Sequence, residues 1–259
     1  MGIAGLHNFI KSAVRRTHIS EFKNQTLAID VSGWLYKGTA AAINDPTHFT
    51  NYTDFLAAAA DASLAYTINM IDLMRRHGVE PIIVFDGGSL PAKRSSNRTR
   101  QELRQRNAQK AEELMRAGNV TEALAAFRKT AAVSHEMCQV LIRQLRIRNV
   151  AFVVAPYEAD AQIAYLVREG YAAAAVTEDS DLLAYECPQV LFKLNRHTGM
   201  GDRVIYDELQ MAEDSKGEHL FAGSFAGEWA VWSSGLFTDM CILAGCDYLE
   251  SGAGIGIRT

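Results

Sequence analysis

Acidic side chains occur in two closely spaced pairs where apolar segments end. Glu158 and Asp160 lie in APYEADAQIAYL, and Asp179 and Asp181 lie in TEDSD. Carboxylates without His or Cys nearby offer hard oxygen ligands, which suit Mg²⁺ or Mn²⁺ better than zinc. Two pairs suggest two ions, which in typical sites lie about 3.5–4 Å apart and act on one phosphodiester. The spacing therefore predicts phosphoryl-transfer chemistry.

The segments that precede these acids have the composition of buried strands. The predicted strands are TLAID, VEPIIVF, NVAFVVAP, YAAAAV and QVLFKL. Helical periodicity separates them, as over 32–43 and 52–78. Such alternation predicts an α/β fold with a mostly parallel sheet flanked by helices. Ligands of these sheets gather beyond the carboxyl ends of the strands. We therefore expect Asp30, Asp86 and the two acidic pairs to converge there.

Each acid also has an ordinary explanation. Asp30 or Asp179 alone would be an unremarkable helix cap, and Glu158 and Asp160 suit the dipole of a helix start. Taken together, however, six or seven carboxylates at one sheet edge would repel one another strongly unless cations neutralise them. The collective pattern favours a metal site.

A basic block interrupts an otherwise acidic chain. The formal net charge is −4, yet residues 93–110 contain seven Lys or Arg and one Glu. The pattern from 91 to 148 is helical, broken at Gly118, and a continuous helix places Lys93, Arg100 and Arg104 on one face. Near the proposed metals, Lys93 and Arg100 could hold a scissile phosphate. A solvated helix face and a nuclear localisation signal are the alternatives.

Other classes find no support in the sequence. There is no Walker-type phosphate loop, no nucleophile elbow and no paired histidine motif. The four cysteines are scattered, which favours small buried thiols over a zinc site or disulfides. No apolar run could span a bilayer or act as a signal peptide, so we expect an intracellular protein with no membrane partner. Residues 207–235 are polar and glycine-rich, which predicts a long, partly irregular loop.

At this point the chain resembles the structure-specific 5′ nuclease superfamily. The resembling stretches are MGIAGL, AID, EPIIVFDG, VAPYEADAQIAYL, VTEDSDLLAY and CILAGCDYL. They span nearly the whole chain in the order of the family. PYEADAQ followed by TEDSDLLA is closer to its exonuclease members than to flap endonucleases.

The resemblance implies a PIN-like nuclease fold over 1–259 as a single domain. Its regions would be an N-terminal part (1–90), a helical arch (91–148), an internal part (149–236) and the start of a helix–two-turn–helix (237–259). It also implies Mg²⁺-dependent 5′→3′ exonuclease and flap-cleaving activity on duplex DNA, with Mn²⁺ substituting. The setting would be nuclear mismatch repair and recombination, by a monomer whose partners include mismatch-repair proteins.

The site residues follow by motif. Lys93 and Arg100 correspond to the basic gateway of the family, and Gly2 to a segment close to the DNA junction. The metal ligands correspond to Asp30, Asp86, Glu158, Asp160, Asp179, Asp181 and Asp247.

Two features depart from the family pattern. Ser32 and Tyr36 replace the usual Tyr and His of the DNA-engaging helix, although Tyr36 retains a stacking surface. GAGIG resembles the hairpin that grips duplex backbone around K⁺, with Ser251, Gly254, Ile255 and Gly256 at the DNA, but no second helix follows it. We therefore expect a truncated motif, and a flap endonuclease or a DNA-binding protein with little activity remains as an alternative.

Overall fold

The computed structural model describes residues 2–41, 52–221, 224–225, 228–229, 232–254 and 256–257. Within these ranges, no helix combines the length and hydropathy needed to cross a membrane. The chain forms two compact units. The first comprises Met1–Asp30, Leu73–Gly88 and Val153–Thr259, and the second comprises Val31–Asp72 and Ser89–Phe152.

The first unit contains a seven-stranded sheet, except for Ala151 and Phe152 of one edge strand. Its strands are β1 (Arg15–His18), β2 (Thr26–Asp30), β3 (Glu80–Phe85), β4 (Ala151–Val154), β5 (Ala174–Thr177), β6 (Gln189–Phe192) and β7 (Met200–Ile205), in the order β1-β7-β6-β5-β2-β3-β4. A separate hairpin pairs β8 (Ser224–Phe225) with β9 (Glu228–Trp229). Strands β6, β5, β2 and β3 run parallel, which confirms the predicted parallel centre.

The antiparallel edge of the sheet was not predicted. β7 runs antiparallel to both β6 and β1. Their sequences, RRTH and MGDRVI, lack the continuous apolar character of the central strands, since edge residues pair in part through charges. Arg16, for example, donates to Asp202 Oδ1 at 2.7 Å across this pair.

The helices are α1 (Leu6–Phe9), α2 (Val31–Ala41), α3 (Tyr52–Arg76), α4 (Arg94–Arg116), α5 (Val120–Arg128), α6 (His135–Ile147), α7 (Ala159–Arg168), α8 (Asp181–Ala184) and α9 (Ser234–Leu243). In the first unit α7 packs on β2, β3 and β5. Ile163 of α7 shares a fully buried cluster with Ala28 of β2 and Ala175 of β5. Small residues on these strands let the helix approach the sheet closely.

The second unit is helical, as the sequence predicts for the arch. Phe55 of α3 and Phe127 of α5 stack with ring centroids 5.2 Å apart, and Ala111 of α4 is buried in the same cluster. The turn between α4 and α5 contains Gly118 at φ +79°. Asn119 precedes α5 but does not cap it with its side chain. Backbone hydrogen bonds close this turn instead, as in other glycine-terminated helices.

The segment read as a long loop contains little regular structure. It begins with a 3₁₀ helix over Tyr206–Met211 and includes the short β8–β9 hairpin. It ends where Ser233 Oγ accepts the Leu236 N–H at 3.1 Å and caps α9. The interpretation as a partly irregular segment is consistent with these elements.

Candidate metal centre

The site begins at the point where the connections of the sheet change direction. From β2 the chain continues to β3 on one side, whereas β5 pairs with the other side of β2. Such switch points open a crevice at the carboxyl ends of the two neighbouring strands. In the parallel register Ile29 pairs with Val176, so the next residues, Asp30 and Thr177, stand side by side at these ends.

Thr177 links the acids of the two strands. Its hydroxyl, in a residue 1% exposed, donates to Asp30 Oδ2 at 3.0 Å and accepts the Asp179 N–H at 3.0 Å. Asp179 Oδ1 in turn accepts the Asp181 N–H at 3.1 Å, at the start of α8. Asp30, Asp179 and Asp181 are all buried. One threonine therefore orients the acids that follow both strands.

A fourth acid, Asp86, is attached to helix α7. Asp86 directly follows β3, and its Oδ1 accepts the Ala159 N–H at 2.9 Å, which caps the helix. The Gly87 N–H donates to Tyr157 O at 2.6 Å and the Gly88 N–H to Pro156 O at 3.0 Å. A Cβ at Gly87 would collide with Ala155 O. Close backbone approach thus places Asp86 beside the helix that carries Asp160.

The electrostatics of Asp160 show that these acids converge. Burial raises its pKa well above the usual range, and the charges of Asp30, Asp179, Asp181 and Asp86 raise it further. Asp30 ends β2 and Asp86 follows β3, whereas Asp179 and Asp181 follow β5. The structure therefore brings five of the seven predicted ligands together around one side chain.

The two remaining predicted ligands, Glu158 and Asp247, are connected to this group through Tyr185 and Tyr248. Glu158 is the partly buried residue preceding α7, and it does not cap the helix with its own side chain. Asp247 lies in the turn after α9, next to Tyr248, whose hydroxyl is 3.0 Å from that of Tyr185. Burial and the contact with Tyr248 raise the pKa of Tyr185, and the charges of Asp160 and Glu158 raise it further.

The donor set fits a hard divalent cation. Every predicted ligand is a carboxylate oxygen, as Mg²⁺ and Mn²⁺ prefer. Across the described residues, no three or more His, Cys, Asp or Glu side chains lie in an arrangement that could hold a metal ion as they stand. Ionised carboxylates repel one another, and cations would offset that repulsion. Asp179 accepts the first N–H of α8, so the capping explanation holds for Asp179 without excluding ligation.

The amino-terminal residues border the same acids. Gly2 has φ +91°, and a Cβ there would collide with Asp179 Oδ1 and the Ser180 backbone. An open cavity of about 490 Å³ adjoins it, lined in part by Gly2, Glu178 and Lys193. His7 Nε2 lies 3.2 Å from Asp202 and its Nδ1 3.4 Å from Lys193 Nζ. Burial, followed by Lys193, lowers the pKa of His7.

The predicted gateway residues belong to the second unit. Lys93 is buried and ends a 3₁₀ turn, and α4 begins only at Arg94. A helix running from Lys93 is therefore wrong, and only Arg100, partly buried, and Arg104, exposed, share α4. Tyr36 of α2 is 43% exposed. Their roles at DNA remain predictions.

The glycine-rich segment that is predicted to form a hairpin follows α9. Ser251 and Gly256 are exposed, and Gly254 adopts φ +79° with open space around it. Ile255, predicted with them, lies outside the described residues. Their proposed DNA and K⁺ contacts remain predictions.

Sequence reasoning missed two residues of the site, Thr177 and Tyr185. The signal for Thr177 was present, since it is the one polar residue of its strand, at the end paired with Asp30. Tyr185 offers no comparable signal, because its hydroxyl partner lies 63 positions away.

Comparison with known proteins agrees with this geometry. A model of the XPG N-terminal domain matches residues 1–107, and one of the XPG I-region matches residues 149–247. Exonuclease 1 of Danio rerio is 38% identical over 262 residues, which cover 99% of this chain and 29% of that protein. The chain spans about a third of the length of the curated relatives it matches first.

Solved structures show the same fold. The catalytic core of Rad2 in complex with a DNA substrate aligns with a TM-score of 0.67 at 17% identity, covering 98% of this chain and 64% of that one. Flap endonuclease-1 from Methanococcus jannaschii aligns at 0.63 and 21%, covering 99% and 75%. The predicted PIN-like 5′ nuclease fold is confirmed.

Proposed function

Because the chain belongs, with exonuclease 1, to the XPG-like superfamily of 5′ nucleases, we propose that it is a Mg²⁺-dependent 5′→3′ exonuclease on duplex DNA that also cleaves 5′ flaps. The observation that carries the proposal is the gathering of four acids around partly buried Asp160 at the switch point of the sheet. Burying like charges is unfavourable, and bound cations would offset the repulsion between these carboxylates.

The carboxylates have a shared task in this proposal. Two divalent ions, Mg²⁺ or Mn²⁺, would activate water and stabilise the leaving oxygen of the scissile phosphodiester when bound. The residues that hold them are Asp30, Asp86, Glu158, Asp160, Asp179, Asp181 and Asp247. Thr177 fixes the orientation of Asp30 and the backbone at Asp179, and the cap on α7 fixes Asp86.

Basic and aromatic residues would hold the DNA. Lys93 and Arg100 would donate to the scissile phosphate and stabilise the charge that grows in the transition state. Arg104 would contact duplex phosphates, and Tyr36 would stack on a base near the 5′ end. Lys193, at the cavity beside Gly2, would attract the strand that passes the acids.

The hairpin after α9 would grip duplex backbone farther from the cut. Exposed Ser251, Gly254 and Gly256, with Ile255 between them, would present backbone groups to phosphates, directly or through K⁺. We propose DNA repair in the nucleus, through mismatch repair and recombination, as its setting, and the similarity to proteins named exonuclease 1 supports this proposal. Mismatch-repair proteins would be its partners and the chain would act as a monomer.

Digestion of labelled duplexes tests the activity. With Mg²⁺ and a recessed 5′ end, a 5′ label should appear immediately in mononucleotides, whereas a 3′ label should pass through a ladder of shortening strands. EDTA should stop the reaction, and a chelator selective for Zn²⁺ should not.

The same assay separates the alternatives. A flap endonuclease would release a 5′ flap as one oligonucleotide and leave blunt duplex intact. A DNA-binding protein without catalysis would shift the duplex in a gel and cleave neither substrate. Inactivity of Asp179→Ala beside an active parent would exclude a contaminating nuclease.

A further inference from the structure

Two tyrosine hydroxyls meet at the edge of the carboxylate cluster. Tyr185 directly follows α8, the helix that starts at Asp181, and Tyr248 directly follows Asp247. The two Oη atoms are 3.0 Å apart. This hydrogen bond therefore joins the helix of one predicted ligand to the turn of another.

Asp247 needs such a link more than the other predicted ligands do. Asp30, Asp86, Asp179 and Asp181 follow paired strands, so the sheet determines their positions. Asp247 instead lies in a turn after α9, outside the strands of the sheet. Its distance from the cluster depends on what holds this turn.

The turn is well ordered in itself. Gly245 at φ +101° reverses the chain, and Cys246 and Leu249 exchange backbone hydrogen bonds of 2.9 and 3.3 Å. Thr238 Oγ1 donates to Ala184 O at 3.3 Å, which attaches α9 to the end of α8. The tyrosine pair adds a second attachment, on the other side of Asp247.

We propose that Tyr185 and Tyr248 are positioning residues, whose shared hydrogen bond holds Asp247 against α8 so that it binds the same ions as Asp179 and Asp181. The inference rests on the proposed function. Tyr185 is partly buried and lies within electrostatic reach of Asp160 and Glu158, so its hydroxyl stands at the site and not on a distant surface. An alternative is that the two rings pack together and the hydroxyls contribute nothing.

Removing one hydroxyl at a time distinguishes these explanations. Binding of Mn²⁺ to the 259-residue chain without DNA can be followed by the electron paramagnetic resonance signal of free Mn²⁺. Tyr185→Phe and Tyr248→Phe should each weaken the weaker-bound ion about fivefold, as expected for one lost hydrogen bond. The double variant should lose no more than either single variant, because both remove the same bond.

Tyr171→Phe is the matched control. Tyr171 follows α7, is 61% exposed and has its ring beside Tyr165. This variant should bind Mn²⁺ within about twofold of the parent. In cleavage assays, the Mg²⁺ concentration for half-maximal rate should rise about fivefold in the two site variants while KM for DNA stays unchanged.

Two results would overturn the positioning role: Mn²⁺ affinity within twofold of the parent in both single variants, or a double variant that shows the product of the single effects. A parent that binds Mn²⁺ with this tyrosine dependence but cleaves no DNA would support the positioning role and refute the nuclease. A parent that binds no Mn²⁺ would refute both.

Discussion

A single side chain, Asp160, shows why the cluster points to function. Its carboxyl is partly buried among four other acids, an arrangement that disfavours ionisation and weakens the native state. Nothing in the packing of α7 requires an acid there, because the neighbouring Ala159 and Ile163 supply the buried contacts. We therefore attribute the unfavourable repulsion around Asp160 to ligand binding and not to packing.

Asp160→Asn should accordingly stabilise the chain in EDTA and inactivate it in Mg²⁺. Removing the charge relieves repulsion, which we expect to raise the free energy of unfolding by about 1 kcal/mol. The same change should reduce cleavage by more than 100-fold, since a ligand is lost. Urea unfolding and single-turnover cleavage measure the two effects. Glu169→Gln, at the exposed end of α7, should change neither, and a destabilised Asp160→Asn would contradict the repulsion.

Thr177 makes a separate prediction at the same scale. Thr177→Val should cost about 1–3 kcal/mol, because a buried N–H and a buried carboxylate each lose a partner. Cleavage should fall at least tenfold as Asp30 and Asp179 lose their shared orientation. Thr177→Ser keeps the hydroxyl and should retain activity within about threefold. Equal activity of the Val and Ser variants would show that the hydroxyl does not orient the acids.

At the scale of elements, the site requires the carboxyl ends of β2, β3 and β5 to lie beside the start of α7. The central strands and the acids after them were predictable, because buried parallel strands are continuously apolar and their carboxyl ends share one edge. The antiparallel strands β1 and β7 were not predictable, since many of their residues are polar and pair in part through charges. The Tyr185–Tyr248 pair also escaped prediction, because it depends on where α9 ends.

The contact between the loops after β3 and β4 gives the element-scale prediction. Gly87→Ala should force Asp86 away from α7, because the new Cβ meets the backbone of Ala155 and Pro156. We expect a loss of about 1–3 kcal/mol in urea unfolding and a marked fall in Mg²⁺-dependent cleavage.

Gly88→Ala is the neighbouring control. Its Cβ would lie 3.4 Å from Pro156 O, which is ordinary contact. This variant should retain both stability and cleavage. A Gly87→Ala chain as active as Gly88→Ala would show that the loop contact does not set the position of Asp86.

At the scale of the whole molecule, the two units carry different charges for different tasks. All seven predicted ligands belong to the first unit, and the basic block of 93–110 belongs to the second. Hydrolysis and duplex binding should therefore respond to different substitutions. Lys93 is buried whereas Arg104 and Arg106 are exposed, so the basic residues should themselves divide into two classes.

We expect Lys93→Ala and Arg100→Ala to lower the single-turnover rate at saturating DNA more than they weaken binding. The reason is that these side chains should stabilise the transition state more than the bound substrate.

The double variant Arg104→Ala/Arg106→Ala should instead weaken binding at low salt. If each arginine neutralises one phosphate, the slope of log K against log salt should fall by about 0.9 for each, or nearly two in total. Fluorescence anisotropy of a labelled duplex from 50 to about 200 mM KCl measures the slope, with Asp179→Ala as the control that binds but does not cleave. An unchanged slope in the double variant would show that the duplex does not bind along α4. A Lys93→Ala chain with weaker affinity and an unchanged rate at saturating DNA would show that Lys93 takes no part in the chemistry.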